Sequence, residues 1–247
     1  MSTEAPRRGQ GRPAGEARAV LEQLRRVERL RKGGHVEEAL ALLHELSAAH
    51  PRDARLQLEL GLTLAIGRRE PEQALPHYSA ALGLAPAMLS VRLHRAVALA
   101  ALGRHEEALQ DLGALHAAHY RNATVVQLLR ARSLAALGRP AEALAAWTAA
   151  IAADPHSPWL LEQRAQLRLA QGHAQAALAD LDAAVRLTGT QLPDPELLRD
   201  RGRLHRQLGD EARARADFEA ALAALGDSEE PLTQELRALR ALSPSGQ

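Results

Sequence analysis

One pattern recurs six times along this chain of 247 residues, at intervals close to 34. The most regular position in the pattern is an Ala, which follows a turn Gly by five residues in most copies. Four copies also place an Arg eight residues before that Gly and a small residue directly after the Arg. The recurring alanines are Ala39, Ala74, Ala108, Ala143, Ala177 and Ala214. A repeat of this length is one supersecondary unit that must stack on its neighbours to bury its apolar face.

The composition and the chain breaks indicate that each repeat is a pair of helices. The apolar residues are mostly Ala and Leu, and aromatic residues make up only 2% of the chain, which favours helix over strand. A Gly interrupts each repeat near its middle, and Pro51, Pro86 and Pro155 follow three of them. Gly and Pro at these places end helices. The sequence therefore predicts an all-α chain of stacked helical hairpins.

These features resemble the tetratricopeptide repeat family over about residues 20 to 228. The family's bulky position in the second helix is matched by Leu43, Tyr78, Leu112, Trp147, Leu181 and Phe218. The resemblance implies a right-handed α-solenoid of about six helical hairpins with a C-terminal capping helix. The second repeat departs from the pattern, since Leu60 and Gly61 stand at the Arg and small-residue positions. Its segment between Gly67 and Ala74 is longer, so we expect that hairpin corner to differ.

The repeat also divides the chain into segments. We expect a flexible basic tail over residues 1–16, a solenoid over 17–228, a capping helix over 229–242 and a flexible end over 243–247. The six repeats are expected at residues 20–53, 54–88, 89–123, 124–157, 158–194 and 195–228.

Charge and motifs argue against several classes of function. The formal net charge is +1, so no strong field attracts nucleic acid or an anionic membrane. The chain has no Cys, no GxSxG elbow and no phosphate-binding loop, and we expect neither catalysis nor a cofactor. His116 and His119 lie three residues apart, which leaves a His-dependent metalloprotein as a second alternative.

The repeated Arg has two interpretations. Guanidinium groups in a row suit carboxylate or phosphate ligands, but Asp111, Asp180 and Asp217 recur in the second helices. We therefore predict structural ion pairs between the first and second helices. The arginines concerned are Arg26, Arg95, Arg130, Arg164 and Arg201.

The resemblance implies that the first helices line a concave groove that binds a partner. By helical phase, the stripe facing this groove is apolar in the second to fourth repeats and basic in the sixth. The expected groove residues are Arg55, Leu58, Leu62, Ile66, Leu93, Val97, Leu128, Arg132, Trp159, Arg199, Arg203 and Arg206.

These observations favour a non-catalytic protein-interaction scaffold that binds a peptide or helix of a partner protein. The first alternative is an anion or nucleic-acid binder acting through the tail and the basic end of the groove. We expect no membrane insertion and a cytoplasmic location, because no apolar run is long enough for a span or a secretory signal. The sequence leaves open a homo-oligomer, and a groove filled by the chain's own tail, its cap or a second copy.

Overall fold

The computed structural model describes residues 14–189, 194–226 and 231–241. Within them the chain forms thirteen α-helices and one π-helix, with no β-strand. None of these helices has the length and apolar character needed to cross a lipid bilayer. The α-helices are α1 (Ala14–Lys32), α2 (Val36–Ala49), α3 (Ala54–Leu62), α4 (Pro71–Leu84), α5 (Leu89–Ala101), α6 (His105–Ala117), α7 (Ala123–Ala136), α8 (Pro140–Ala153), α9 (Pro158–Ala170), α10 (Ala174–Thr188), α11 (Pro195–Gln207), α12 (Glu211–Leu225) and α13 (Pro231–Ala241).

The helices form consecutive hairpins that group into two compact bodies, divided between Ala118 and His119. In the first body, α2 packs on α3 and α4 packs on α5, so each hairpin contacts the next. In the second body, the same holds for α8 with α9 and α10 with α11, and α13 packs on α12. This confirms the all-α fold of stacked tetratricopeptide-like hairpins predicted from the repeat.

The recurring Gly and Ala have separate structural roles at each hairpin corner. In the third repeat, Gly103 takes a left-handed backbone with φ of 74°. The amide N–H of Arg104 then donates to the carbonyl oxygen of Leu99 at 2.9 Å, which satisfies an otherwise unpaired helix end. Five residues after Gly103, Ala108 is fully buried between the helices. The Gly therefore ends the first helix, and the Ala permits the second helix to approach closely.

The second repeat differs at its corner, as expected, but the extra residue lies in the helix and not in the turn. Residues Thr63–Arg68 form a π-helix, which accommodates an inserted residue by lengthening the hydrogen-bonded turn. The left-handed position is consequently occupied by Arg69, with φ of 61°, five residues before Ala74. The assignment of Gly67 as the turn glycine is therefore wrong. Gly67 lies inside the π-helix, where a Cβ would come 3.0 Å from Val36 Cγ1.

Replacing Arg69 with Gly is expected to stabilise the protein by about 0.5–1 kcal/mol, because Arg69 has a left-handed backbone. A left-handed backbone strains any residue that carries a Cβ, and glycine adopts it without that strain. Chemical denaturation followed by circular dichroism measures the change. As a matched control, Gly103→Ala places a Cβ at the equivalent position and should lower stability by a similar amount. No difference between the two variants would contradict this assignment of the corner.

The chain ends depart in part from the expected segments. Helix α1 begins at Ala14, so three residues assigned to the basic tail are helical. The remainder of that tail, residues 1–13, and the expected end at 243–247 lie outside the described residues. Helix α13 spans Pro231–Ala241 and buries Leu236 completely.

Candidate functional site

The predicted ion pairs between first and second helices form in three hairpins. In each, an Asp of the second helix accepts hydrogen bonds from an Arg that lies sixteen residues earlier, on the first helix. The three Asp residues are almost fully buried. The shortest N···O distances are 2.7 Å for Arg95–Asp111, 2.7 Å for Arg164–Asp180 and 2.6 Å for Arg201–Asp217. These arginines therefore hold hairpins together and do not form a ligand-binding row.

The other two repeated arginines lack an acidic partner at that spacing. Sixteen residues after Arg26 and Arg130 the chain carries Leu42 and Ala146. Arg130 donates instead to the side-chain oxygen of Gln127 at 3.2 Å. The prediction of a helix-to-helix ion pair consequently holds only for repeats that supply the Asp.

The predicted groove residues of the first body differ widely in exposure. Ile66 and Val97 are exposed, at 57% and 45%, while Leu58 and Leu93 are half-buried. Leu62 is only 8% exposed, so its assignment to an open groove is wrong. It lies at the end of α3, where the π-helix begins and the regular helical phase used for the assignment stops applying.

Arg55, the remaining predicted groove residue of the first body, is engaged locally. Its guanidinium donates to both carboxylate oxygens of Asp53, at 3.0 and 2.7 Å. The same carboxylate accepts from the backbone N–H of Arg55 and caps the start of α3. Arg55 therefore supports the helix start.

In the second body, the predicted groove residues include one exposed aromatic. Leu128 is half-buried and Arg132 is exposed. Trp159, at the start of α9, is 43% exposed and meets the buried Trp147 edge to face, with ring centroids 6.0 Å apart. This arrangement fixes the Trp159 ring while leaving part of it accessible.

The basic end of the predicted groove is engaged by the capping helix α13. Both Arg199 and Arg203 pair with Glu235 of α13. Arg206 donates to the backbone carbonyl of Leu239 at 2.6 Å, and its guanidinium lies 5.0 Å from the Phe218 ring centroid. The expectation of an open basic surface at this end is therefore wrong, because the chain's own cap binds all three arginines. This weakens the anion-binding alternative.

A small cavity lies between α9 and α11 of the second body. Its volume is about 240 Å³, and its lining includes Ala165, Leu169 and Leu204 with Gln166 and Asp200. Small-molecule sites usually measure about 300–1,000 Å³, so this cavity has room for a single side chain and not for a cofactor.

A cluster of four polar side chains lies among the first three repeats, and none of the four is among the groove residues predicted from the sequence. Its members are Arg31 of α1, Glu59 of α3, Tyr78 of α4 and His94 of α5; we call them the polar cluster. The rings of Tyr78 and His94 stack with centroids 6.4 Å apart. The Arg31 charge acts on the pKa of each of the other three, which places all four side chains within electrostatic range.

Burial sets the protonation of the polar cluster. It raises the pKa of Glu59 above its usual range, with a further rise from Glu28 and an opposing effect from Arg31. Burial also raises the pKa of Tyr78 and lowers that of His94. The Tyr78 hydroxyl is therefore protonated, and His94 is neutral at pH 7.

The polar cluster is not satisfied internally. Arg31 Nε and Glu59 Oε2 are buried and have no hydrogen-bond partner among the described residues. Although Arg31 and Glu59 carry opposite charges, they do not form an ion pair with each other. The sequence gives one signal for this cluster. Glu59 and His94 occupy the same position in successive repeats, directly before the position of the repeated Arg.

The metal hypothesis based on His116 and His119 lacks the expected geometry. Helix α6 ends at Ala117, and His119 follows it in a left-handed backbone conformation with φ of 49°. The two residues therefore do not share a helix face. Across the described ranges, no three His, Asp or Glu side chains are grouped as a metal site would require.

Models of the tetratricopeptide repeat match most of the sequence. One such model matches residues 24–72, 63–123 and 162–229, and another matches residues 124–167. No curated protein matches the sequence significantly.

Solved structures show the same fold at low sequence identity. PilF of Pseudomonas aeruginosa is 20% identical, with a TM-score of 0.70 over 91% of this chain and 99% of its own. PilW, a type IV pilus biogenesis factor, is 16% identical, with a TM-score of 0.69 over 87% of this chain and 96% of its own. YrrB, described as a TPR protein with an unusual peptide-binding site, is 15% identical, with a TM-score of 0.60 over 79% and 97%. At these identities the likeness concerns the fold alone.

Proposed function

Because the chain belongs to the tetratricopeptide repeat family, whose fold serves protein–protein interaction, we propose that it is a non-catalytic scaffold that binds a peptide segment of a partner protein. We place the binding surface on the first helices of the first body, around Val97 and the half-buried His94. The observation that carries this proposal is the position of Val97. It is a large apolar side chain, 45% exposed, one helical turn from His94.

The mixed chemistry of this surface fits a peptide better than a small anion or a metal ion. Ile66, in the π-helix that follows α3, is a second large exposed apolar side chain, and exposed apolar surface can mark an interaction site. The half-buried His94, one turn from Val97, can orient a bound chain by a hydrogen bond. A segment with one or more apolar side chains would remove Val97 from water. YrrB, which shares the fold, is itself described with a peptide-binding site.

The location, the cellular role and the oligomeric state of the protein stay predictions. The cytoplasmic location and the adaptor role follow from the sequence expectations. A homo-oligomer would place a second copy on the same surface, and it would appear as concentration-dependent self-association in the binding experiment below.

Peptide selection against the purified full chain tests the proposal. A random dodecapeptide display library is panned, and the selected peptides are measured by fluorescence anisotropy. Val97→Glu is expected to weaken their binding by about tenfold or more, because a charge replaces an apolar contact worth about 1.4 kcal/mol or more.

Leu84→Glu is the matched control for this experiment. Leu84 is 42% exposed on α4, the second helix of its hairpin, and its replacement should change the affinity less than twofold. Equal affinities for wild type and Val97→Glu, or failure to select any peptide, would overturn the proposed function.

A further inference from the structure

The cavity between α9 and α11 opens to solvent and has an apolar floor. Three of the side chains around it, Gln166, Arg203 and Gln207, are exposed, so its volume of about 240 Å³ can be entered from outside. Apart from Asp200, its other lining residues are aliphatic and buried or half-buried: Ala165, Leu169, Leu181 and Leu204. An aliphatic side chain placed there would lose its contact with water. The cavity therefore suits one Leu, Ile or Met side chain of a bound molecule.

The face of α9 that leads to this cavity carries an exposed aromatic residue and an acid. Trp159, Glu162 and Gln166 follow one another at intervals of three and four residues, so they share one face of the helix. Trp159 is 43% exposed. The side-chain amide of Gln166, at the edge of the cavity, donates to Glu162 Oε1 at 3.2 Å. An indole, a carboxylate and the cavity are thus met in that order along α9.

The charge around Glu162 is predominantly negative. Burial raises the pKa of Glu162, and three neighbouring carboxylates raise it further by their negative charge. These are Asp200, Asp194 and Glu196. Arg199 opposes them, but its guanidinium already pairs with Asp200 at 2.8 Å. A positive charge beside Glu162 would relieve this repulsion, and the exposed indole one turn away attracts the same kind of group.

We infer that this face of the second body binds a partner segment that carries a Lys or Arg about three residues from an aliphatic side chain. The aliphatic side chain fills the cavity, and the cation lies between Trp159 and Glu162. Gln166 follows Trp159 by seven residues, which is about 10 Å along a helix. An extended peptide covers that distance in about three residues. This second surface does not depend on the one around Val97, which belongs to the other body.

Panning a dodecapeptide library on the Val97→Glu protein tests this inference, because the substitution disables the first surface. The library carries a fixed Leu at its sixth position and random residues elsewhere. Lys or Arg should be enriched three residues from the Leu. In a selected peptide without Trp, replacing the Leu by Ser or the cation by Glu should each weaken binding about tenfold. Binding should change the tryptophan emission, and the change should be absent in Trp159→Phe, where only the buried Trp147 remains.

Exchanging the charges across the contact tests the role of Glu162. Glu162→Lys should weaken the binding of the selected peptide about tenfold and should favour the peptide in which Glu replaces the cation. Glu219→Lys makes the same change of charge on α12, where Glu219 is half exposed and pairs with Arg215. This matched control should change either affinity less than twofold. Circular dichroism checks that both variants are folded, and the peptide exchanges on the unaltered surface decide the question if Glu162→Lys is not.

The outcomes separate this inference from the proposed function. A panning experiment that yields no peptide, or yields peptides without Lys or Arg at that spacing, overturns the second surface. Equal effects of Glu162→Lys and Glu219→Lys overturn it as well. Neither result bears on the peptides that depend on Val97. Conversely, peptides that carry the predicted pair and respond to Glu162→Lys support the second surface even if Val97→Glu leaves every selected affinity unchanged.

Discussion

Replacing Arg201 with Met is expected to lower the free energy of unfolding by about 3 kcal/mol. The substitution leaves the Asp217 carboxylate, whose side chain is 7% exposed, without its guanidinium partner. A buried charge with no partner is costly because it has lost its hydration. Urea denaturation of the wild type and the variant measures the difference.

Replacing the acidic partner of the pair, Asp217, should lower the free energy of unfolding by less. When Asp217 is replaced by Leu, Arg201 keeps Asp182 as a partner at 3.2 Å and is itself 20% exposed. The double variant Arg201→Met with Asp217→Leu should therefore be more stable than Arg201→Met alone. Arg130→Met is the matched control, since Ala146 stands where the Asp would be, and it should cost less than about 1 kcal/mol. Equal losses for Arg130→Met and Arg201→Met would show that the ion pair does not stabilise the hairpin.

The second large effect is expected where Gly faces an aromatic ring. Gly202→Ala and Gly61→Ala should each destabilise the protein by about 1–3 kcal/mol. The added Cβ would lie 2.6 Å from Phe218 Cε1 and 2.4 Å from Tyr78 Cε1, so the ring or the helix must move. Thermal and chemical denaturation provide the measurement.

Two further variants distinguish overpacking from a general effect of alanine in a helix. Gly202→Ala combined with Phe218→Leu recreates the Ala and Leu pair of the third and fifth repeats, and it should recover part of the loss. Gly113→Ala, in the middle of α6 with no heavy atom within 4 Å of the new Cβ, should stabilise by about 0.5–1 kcal/mol. A loss of stability in Gly113→Ala similar to that in Gly202→Ala would contradict the packing explanation.

The sequence predicted those features of the fold that repeat. The Gly and Ala positions identified the hairpins because the left-handed corner and the close helix contact recur with the same spacing. The Arg–Asp pairs could be predicted for the same reason, since Arg95 and Asp111 are separated like Arg164 and Asp180. The π-helix could not be predicted, because an inserted residue between Gly61 and Ala74 fits a longer turn as well as a wider helical turn.

The candidate site was less accessible to sequence reasoning. Leu62 was assigned to the surface by a regular helical phase that the π-helix interrupts. The arginines of α11 were expected to be free because nothing in the repeat shows that Glu235 and the carbonyl of Leu239 would reach them. The polar cluster combines residues from three repeats. Glu59 and His94 stand at the same repeat position, but Arg31 and Tyr78 stand at two others, so periodicity alone does not bring the four side chains together.

The location of peptide binding on the first helices of the first body is tested most directly by nuclear magnetic resonance of the full chain with a selected peptide. The account predicts chemical-shift changes at the Val97 methyl groups and the His94 ring, while the Leu84 methyl groups stay unchanged. Changes at Leu84 with Val97 and His94 unaffected would place the peptide elsewhere and contradict the account.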